Sequence, residues 1–263
     1  MNAPTRKGAR SQKDIPQDIL NQLNKGLIES VNLTEWLAID QIILIHNILQ
    51  PDYATACEES INGLKNKTVT HNIRTIGEVL LRKTISENDD RLFGKLSPHP
   101  SDMARCWAAY IVGLNECITV EEKLERIKPF AADTHFGVRE IAWMAIRHET
   151  EKHIEKVIRI FTGWAVNSDD NIRRFSCEAI RPNGVWCKHI DRLKTEPELA
   201  LPILEKLNSD PSKYVQDSVA NWLNDASKSK PDFVKNLCRK WAAESTSKST
   251  SYIIKRALRT VNK

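Results

Sequence analysis

Two similar segments reveal how the chain is organised: Val138-Arg-Glu-Ile-Ala-Trp-Met-Ala-Ile-Arg147 and, 34 residues later, Ile172-Arg-Arg-Phe-Ser-Cys-Glu-Ala-Ile-Arg181. Both place apolar residues three and four positions apart, which is the spacing of one buried helical face. Both also end in the same Ala-Ile-Arg string. The pair therefore indicates a helix that recurs at a regular interval.

Three further segments have the same shape, a polar turn followed by an apolar-periodic helix, and they begin at Met103, Val215 and Ile253. In chain order the five segments begin 35, 34, 43 and 38 residues apart. Intervals of this size, without strand-like alternation, are typical of stacked helix pairs. The turns contain aspartates, at positions 133, 169, 170 and 210, that predict N-cap oxygens for the second helix of each pair.

Partner helices are predicted between these segments, over residues 120–130, 152–166, 198–207 and 232–243. Upstream, residues 17–29, 33–49, 53–64 and 70–84 predict further, less regular helices. Because one helix pair cannot bury its apolar stripe alone, neighbouring pairs must stack. The sequence thus predicts an all-α, curved solenoid of HEAT-like helical repeats, with the second helices along its concave face. A compact, non-repetitive helical bundle is the alternative.

The ends of the chain are basic. Residues 1–13 contain four basic side chains and no acid, residues 226–263 contain ten basic and two acidic ones, and residues 14–225 have a net charge of −7. We expect residues 1–13 to be a disordered arm and residues 14–263 to be a single domain. Basic ends on a mildly acidic body suggest a polyanionic partner, although a solvated, lysine-rich terminal helix explains the C-terminal charge equally simply.

Composition excludes several classes of protein. No apolar run reaches 18 residues and the basic N-terminus has no apolar core, so we expect neither a membrane span nor a secretory signal, and a cytoplasmic location. The six cysteines have no CxxC spacing and the seven histidines form no metal motif, so we predict free, buried thiols, no metal and no cofactor. No nucleophile elbow, P-loop or dinucleotide motif occurs either.

The predicted second helices place polar side chains in register. Glu140, Arg174 and Asp217 occupy one column when the repeats are superimposed, and Met144, Glu178 and Asn221 occupy the next. Glu140 beside Arg174 could be an inter-repeat salt bridge and nothing more. A different signal is Trp186, because Pro182 and Gly184 take it out of a regular helix. By themselves these residues indicate a helical-repeat protein with a polar groove and basic ends.

Several strings carry a more specific resemblance. They are His135-Phe-Gly-Val-Arg-Glu140, Arg174-Phe-Ser-Cys-Glu-Ala-Ile-Arg-Pro-Asn-Gly-Val-Trp186, Asp210-Pro-Ser-Lys-Tyr-Val215, Ser218-Val-Ala-Asn-Trp-Leu-Asn-Asp225 and Leu33-Thr-Glu-Trp-Leu-Ala-Ile-Asp40. Together they resemble the AlkC branch of the AlkC/AlkD DNA glycosylases, over about residues 15–260. The resemblance implies a monofunctional glycosylase that removes cationic N-alkylated bases, such as 3-methyladenine and 3-methylcytosine, from duplex DNA. It further implies a monomer that is associated with the nucleoid when bound to DNA.

By resemblance, the catalytic residues are Glu140, Glu178, Trp186 and Asp225, with Glu178 favoured as the carboxylate that activates water. The implied DNA-binding residues are Arg139, Arg174, Arg181, Asn221, Lys228, Lys230, Lys255 and Arg256. This set suits the chemistry, since a cationic base needs no protonation to leave and the sugar cation that remains is stabilised by carboxylates. Two other functions stay open: a non-catalytic repeat protein that binds damaged or branched DNA, and a protein-interaction scaffold.

Overall fold

A computed structural model describes residues 6–89, 91–184 and 186–261, and over these residues the chain is helical, with no β-strand. It divides into two compact units, Met1–Ala145 (unit 1) and Ile146–Lys263 (unit 2). The all-α prediction is confirmed. The single domain expected over residues 14–263 stays a prediction.

The described part of unit 1 contains α1 (Gln17–Asn24), α2 (Leu33–Ala38), α3 (Gln41–Ile48), α4 (Pro51–Asn62), α5 (Val69–Glu87), α6 (Arg91–Leu96), α7 (Asp102–Gly113), α8 (Val120–Ala131) and α9 (Phe136–Ala145). That of unit 2 contains α10 (Arg147–Lys152), α11 (Ile154–Trp164), α12 (Asp170–Glu178), α13 (Asp191–Thr195), α14 (Leu201–Leu207), α15 (Lys213–Ala226), α16 (Pro231–Glu244) and α17 (Lys248–Ala257). Short 3-10 turns cover Gln12–Asp14 and Pro197–Ala200.

The five predicted repeat helices all form, as α7, α9, α12, α15 and α17, and α8, α11, α14 and α16 are their partners. In unit 1, α7 packs against α5, α8 and α9. In unit 2, α15 packs between α12 and α17, with α14 and α16 behind it. Every residue of α7 is buried, so this helix forms the centre of the core of unit 1. Gly113 lets α9 come close, because a Cβ atom there would collide with the backbone of Ala145.

An arginine holds the turn before each of three repeat helices, and the three arginines are spaced 34 residues apart, at Arg105, Arg139 and Arg173. In each case Nη1 donates to the backbone carbonyls six and five residues upstream, at distances of 2.6 to 3.1 Å. Arg105 and Arg173 also form two hydrogen bonds each to the aspartate of the following turn, Asp133 and Asp210. This contact repeats with the helices and explains their regular register.

The turn aspartates accept backbone amides at the starts of the repeat helices. One of them is the N-cap residue itself, as predicted, and two lie shortly before the helix start. Asp169 is the N-cap of α12 and accepts the Asn171 amide at 2.8 Å. Asp133 and Asp210 accept the amides two residues further on, His135 and Ser212, at 2.7 and 2.8 Å. All three aspartates thus satisfy backbone donors that would otherwise lack a partner at the helix entry.

The upstream region departs from the predicted boundaries. The helix predicted over residues 33–49 is two helices, α2 and α3, since Asp40 turns the chain and caps α3 by accepting the Ile42 and Ile43 amides. The helix predicted over residues 17–29 ends at Asn24, shortly before Gly26 adopts a left-handed φ of 70°. Apolar periodicity continues through both breaks, which is why it overestimates helix length.

The predicted N-terminal arm lies partly outside the described residues, which begin at Arg6. Arg6 donates to the buried carboxylate of Glu35 and to the carbonyl of Glu29, and the carbonyl of Ala9 accepts the Asn32 amide at 2.8 Å. The described part of the arm is therefore attached to unit 1. It differs in this from the disordered segment expected over residues 1–13.

The core follows the expected chemistry with two exceptions. Trp107, Trp143 and Trp241 are buried, as is usual for tryptophans on the apolar face of a helix. Four cysteines are buried, whereas Cys117 is exposed and Cys187 is half-buried, so the prediction of buried thiols is wrong for these two. No helix in the described part of the chain is both long and apolar enough to cross a membrane.

Candidate active site

Helix α12 presents a polar stripe to α15. Arg174 and Glu178 lie one helical turn apart, and Arg181 follows one turn after Glu178. The helix ends at Glu178 because Pro182 and Gly184 follow within six residues. The facing stripe on α15 consists of Tyr214, Ser218, Asn221 and Asp225, and Lys228 follows in the turn after the helix.

Glu178 lies in the contact between these two stripes and is only 4% exposed. Its Oε1 accepts Nη1 of Arg181 at 2.8 Å, and its Oε2 accepts the Ser218 hydroxyl at 2.6 Å. Arg174, whose guanidinium stacks on the Tyr214 ring, brings its Nη2 to 3.7 Å from the same Oε2. Both carboxylate oxygens therefore have partners from within unit 2.

Asp225, one repeat further on, shares Arg181 with Glu178. Its Oδ2 accepts Nε of Arg181 at 3.0 Å and Nη2 at 2.6 Å, while its Oδ1 accepts the Lys228 ammonium at 3.0 Å. The Asp225 side chain is buried, and Lys228 is half exposed. One guanidinium thus holds two carboxylates from successive repeat helices, and we call Glu178, Arg181 and Asp225 the carboxylate cluster.

Glu178 and Arg181 stabilise each other's charged forms. Burial raises the pKa of Glu178, but the charges of Arg174 and Arg181 and the Ser218 hydrogen bond outweigh burial, so that the pKa lies below its ordinary value. Burial also disfavours the charged form of Arg181, yet Glu178 and Asp225 raise its pKa above the ordinary value. Glu178 is therefore a stable anion and a weak proton acceptor, so its chemical contribution is negative charge.

The segment after α12 displays Trp186 at the surface. This indole is 65% exposed, and its backbone has a φ of 59°, in the left-handed region that a non-glycine residue rarely occupies. The ends of the segment are held, since the Ile190 amide donates to the Pro182 carbonyl at 3.0 Å and the buried Trp222 indole donates to the Ile180 carbonyl at 2.9 Å. The prediction that Trp186 lies outside the helical stripe is confirmed.

The remaining predicted DNA-binding residues of unit 2 lie on or next to α15, α16 and α17. Asn221 accepts a hydrogen bond from Arg259 at 3.0 Å. Arg256 lies 3.4 Å from the Asp217 carboxylate, which also accepts bonds from Lys213 and Tyr252. Lys228, Lys230 and Lys255 are exposed on the surface. Lys255 and Arg256 thus lie in the last turn of α17, whereas Asn221 is half-buried and bonded to Arg259.

Two predicted site residues lie in unit 1. The Glu140 carboxylate accepts the Trp143 indole N–H at 3.0 Å within α9. Arg139 uses Nη1 to hold the carbonyls of Asp133 and Thr134. The Arg139 contact matches those of Arg105 and Arg173, which favours a role in the turn over a role in binding phosphate.

These geometries can be compared with known proteins. The sequence pattern of a family described as DNA alkylation repair enzyme matches residues 102–260. The chain belongs to this family. All residues of the carboxylate cluster, Trp186 and Glu140 lie inside the matched range.

Solved structures share the fold. One is alkylpurine DNA glycosylase AlkC of Pseudomonas fluorescens bound to DNA containing an abasic site analog, with a TM-score of 0.66 at 20% identity over 97% of this chain and 66% of that chain. Another is AlkD2 of Streptococcus mutans, with a TM-score of 0.62 at 22% identity over 79% of this chain and 96% of that chain. The fold is therefore the helical-repeat fold of these proteins.

A curated relative covers less of the chain. The uncharacterized protein YhaZ of Bacillus subtilis is 38% identical over 139 residues, which is 53% of this chain and 38% of YhaZ. The chain thus spans less than two thirds of YhaZ and just under two thirds of the AlkC chain.

In this member of the family, three contributors to the site escaped prediction. Ser218 and Tyr214 hold Glu178 and Arg174, and their helical spacing with Asp225 is a signal that could have found them. Arg147 is buried and binds three backbone carbonyls of the segment that carries Trp186. Its signal is the repeated Ala-Ile-Arg string, which places Arg147 in register with Arg181.

Two surface cavities of this family member lie elsewhere. One, of about 360 Å³, is in unit 1 between α5, α7 and neighbouring segments, and the other, of about 530 Å³, is in unit 2 along α14 and α16. No residue of the carboxylate cluster lines either cavity, although Lys230 lines the second. Among the described residues no three His, Cys, Asp or Glu side chains are grouped so as to hold a metal ion, and the absence of a required metal stays a prediction.

Proposed function

We propose that this chain is a monofunctional DNA glycosylase that hydrolyses the N-glycosidic bond of cationic N-alkylated bases, 3-methyladenine and 3-methylcytosine, in duplex DNA. The observation that carries the proposal is the carboxylate cluster, which the exposed Trp186 follows five residues after Arg181 along the chain. Family membership supports it, and so does the fold shared with AlkC, a structure of which contains DNA with an abasic site analog.

The proposed chemistry requires charge more than proton transfer. The bond between C1′ and the base nitrogen breaks, and its electron pair neutralises the positive base, so no general acid is needed. Glu178 and Asp225 then stabilise the sugar cation, water adds its oxygen to C1′, and the proton is lost to solvent. The lowered pKa of Glu178 suits this role, because the carboxylate remains negative under all physiological conditions. Glu178 stays our candidate for orienting the water.

Trp186 supplies the aromatic surface in this proposal. Its exposed ring can stack on a sugar or on a cationic base, an interaction worth about 1–2 kcal/mol where water is excluded. Glu140, with its Trp143 contact, is proposed as a further carboxylate from unit 1. Lys228, Lys230, Lys255 and Arg256 are proposed to bind phosphates, together with Arg174, Arg181 and Asn221 where DNA displaces their present partners.

One observation favours a second candidate function, non-catalytic binding of damaged DNA. Both carboxylate oxygens of Glu178 already accept hydrogen bonds from residues of unit 2, and the Asp225 carboxylate accepts three. Such a network is what a purely structural role would also produce. The two functions differ in one product, since only the glycosylase releases a base and leaves an abasic site.

The decisive experiment incubates the purified protein with methylated duplex DNA and identifies released bases by mass. We expect 3-methyladenine and 3-methylcytosine for a glycosylase and no base for a binding protein. Glu178→Gln should lower the single-turnover rate by about 100-fold or more, because it removes the anion that stabilises the sugar cation, while DNA affinity is unchanged.

The matched control is Glu155→Gln, which removes an exposed carboxylate from α11 of the same unit. It should release bases at the wild-type rate, and circular dichroism should show both variants folded. Wild-type turnover in Glu178→Gln contradicts the assignment of that residue. Absence of any released base from the wild-type protein contradicts the glycosylase function itself.

A further inference from the structure

Arg147 is a buried cation outside the carboxylate cluster. It is the first residue of α10 and is 4% exposed. Nε donates to the carbonyl of Lys188 at 3.0 Å, Nη1 to that of Ala179 at 2.9 Å, and Nη2 to that of Arg181 at 2.6 Å. All three guanidinium nitrogens thus bind backbone in one segment, residues 179–188.

The three carbonyls enclose the residues that the proposed function uses. Ala179 directly follows Glu178, Arg181 is itself the bridge of the carboxylate cluster, and Lys188 lies two residues after Trp186. Arg147 therefore ties the end of α12 to the far end of the segment that carries the indole. A planar guanidinium with donors in fixed directions can span these points, whereas a single ammonium cannot.

The conformation of this segment requires such support. Trp186 has a left-handed backbone, which is unfavourable for a side chain of this size unless surrounding contacts impose it. Gly184 is packed so tightly against Cys187 and the Lys188 carbonyl that a Cβ atom would not fit. Between Pro182 and Ile190 the described structure shows no helix, so the contacts at the two ends determine where the indole lies.

The free-energy cost of burying the Arg147 guanidinium and the hydrogen bonds that it makes distinguish this residue from one that only stabilises the fold. Burial lowers the pKa of the Arg147 guanidinium below its ordinary value, because burial disfavours the charged form. An apolar residue in this place would avoid that cost but would remove the guanidinium donors from three carbonyls, of which that of Ala179 is buried. Arg181 is the equivalent residue one repeat later, and it donates to carboxylates instead. The arginine at this register position therefore binds backbone in one repeat and side chains in the next.

We propose that Arg147 is a positioning residue, which sets the place of Trp186 relative to Glu178 and Arg181 by holding the main chain at both ends of residues 179–188. It touches neither DNA nor base and acts through this segment alone. The consequence for turnover rests on the proposed glycosylase function, whereas the consequence for the conformation of the segment does not.

The test uses the full chain labelled with 5-fluorotryptophan. The seven tryptophans give separate ¹⁹F signals, and the signal missing in Trp186→Phe identifies the exposed indole. In Arg147→Met we expect this signal to narrow and to shift towards that of the free amino acid, while the signals of the six buried indoles keep their positions. Hydrogen exchange of the Ile190 amide should become about ten-fold faster or more, as its bond to Pro182 opens.

Arg173→Met is the matched control. It removes another guanidinium of unit 2 that holds two backbone carbonyls, those of Asn167 and Ser168, far along the chain from Trp186. It should destabilise the protein without changing the Trp186 signal. An equal change in both variants would show that general loss of stability, and not Arg147, moves the indole, and it would overturn the proposal.

A second variant keeps the test decisive if Arg147→Met does not fold. Arg147→Lys retains the charge but not the three directed donors, and we expect the same changes in the Trp186 signal and the Ile190 amide. A wild-type signal and wild-type exchange in Arg147→Lys would overturn the proposal.

Turnover supplies the third readout. At saturating protein, base release in the folded variant should be slower by about ten-fold or more, with the Kd for duplex DNA within about two-fold of wild type. If the wild-type protein releases no base, the glycosylase proposal fails, and the NMR and exchange results still decide whether Arg147 positions Trp186.

Discussion

At the scale of single residues, Arg181 organises the chemistry of unit 2. Its guanidinium binds Glu178 with one nitrogen and Asp225 with the other two, and each carboxylate raises its pKa. Arg174 and Lys228 lie 3.7 and 3.0 Å from Glu178 and Asp225, so three basic side chains, with Arg181 between them, hold the two carboxylates that we propose to face a sugar cation. Ser218 adds the hydrogen bond that orients the Glu178 carboxylate.

The Ser218 hydroxyl should contribute measurably to stability. Ser218→Ala removes a donor to a buried anion, and such bonds are worth about 1.5–3 kcal/mol, so urea unfolding should show a loss in that range. Ser176→Ala is the control, since that buried hydroxyl donates to the neutral Arg173 carbonyl and its loss should cost about 1 kcal/mol. In Glu178→Gln the effect of Ser218→Ala should shrink, and equal effects in both backgrounds would argue against the charged bond.

The lowered pKa of Glu178 predicts how stability depends on pH. The ordinary value is 4.5, and the folded state lowers it, so the unfolded chain binds the proton more readily. The contribution of Glu178 is therefore complete above about pH 4.5 and is lost as the pH falls through the folded-state pKa. Urea unfolding of wild type and Glu178→Gln from pH 7 to pH 3 should show the wild type losing stability more steeply below about pH 4.5. Parallel curves would contradict a lowered pKa.

At the scale of elements, the 34-residue recurrence of Arg105, Arg139 and Arg173 explains why the helices stack in register. Each arginine holds the turn before its own helix, and two of them reach the aspartate of the next turn. A local contact and an inter-repeat contact thus come from one side chain. This links the geometry of each turn to the packing of α7 on α9 in unit 1 and of α12 on α15 in unit 2.

The contact between Arg173 and Asp210 should be a main support of unit 2. Asp210→Ala removes a buried carboxylate that binds Nε and Nη2 of Arg173 at 2.7 and 3.1 Å and also caps the Ser212 amide. Because the guanidinium keeps only its carbonyl acceptors, we expect a loss of about 3 kcal/mol in the free energy of unfolding. Hydrogen exchange should be faster in both α12 and α15. Asp191→Ala, which breaks an exposed contact with Lys194, should change neither measurement.

At the scale of the whole molecule, the charge is divided along the chain. Residues 226–263 carry ten of the 39 basic side chains and only two acids, and α16 and α17 lie within this stretch. Unit 2 thus contains the carboxylate cluster, the exposed Trp186 and the most basic part of the sequence. A DNA duplex bound there would meet Lys255 and Arg256 of α17, which we propose to bind phosphates, and the carboxylate cluster between α12 and α15.

Salt should weaken DNA binding in proportion to the number of phosphate contacts. Each contact contributes about 0.9 to the slope of log affinity against log salt concentration, through counterion release. Lys255→Gln should therefore lower the slope by about one contact. Arg159→Gln changes an exposed side chain on α11, one of the partner helices, and should leave this slope unchanged. An affinity that stays constant between low and physiological salt would contradict the proposed role of the basic C-terminal stretch.

Local sequence patterns predicted much of this arrangement. The five repeat helices, their partners and the exposed position of Trp186 all follow from periodicity and from Pro182 and Gly184, which are properties of neighbouring residues. Helix breaks at Asp40 and Gly26 were missed, because apolar spacing continues across them. The roles of Arg139 and Arg147 were missed as well, because an arginine side chain can reach a turn, a carboxylate or a phosphate equally well from the same register position.

The sequence by itself determined the helical class, the repeat interval, the basic ends and the family to which the chain belongs. Only the tertiary structure decided which charges meet: that Arg181 joins Glu178 to Asp225, that Ser218 completes the contact, and that Arg147 binds backbone. The physical reason is distance. Helix formation depends on residues three or four positions apart, whereas the contacts of Arg181 with Asp225, of Ser218 with Glu178 and of Arg147 with backbone join residues 32 to 44 positions apart, whose separation in space depends on how successive helices pack.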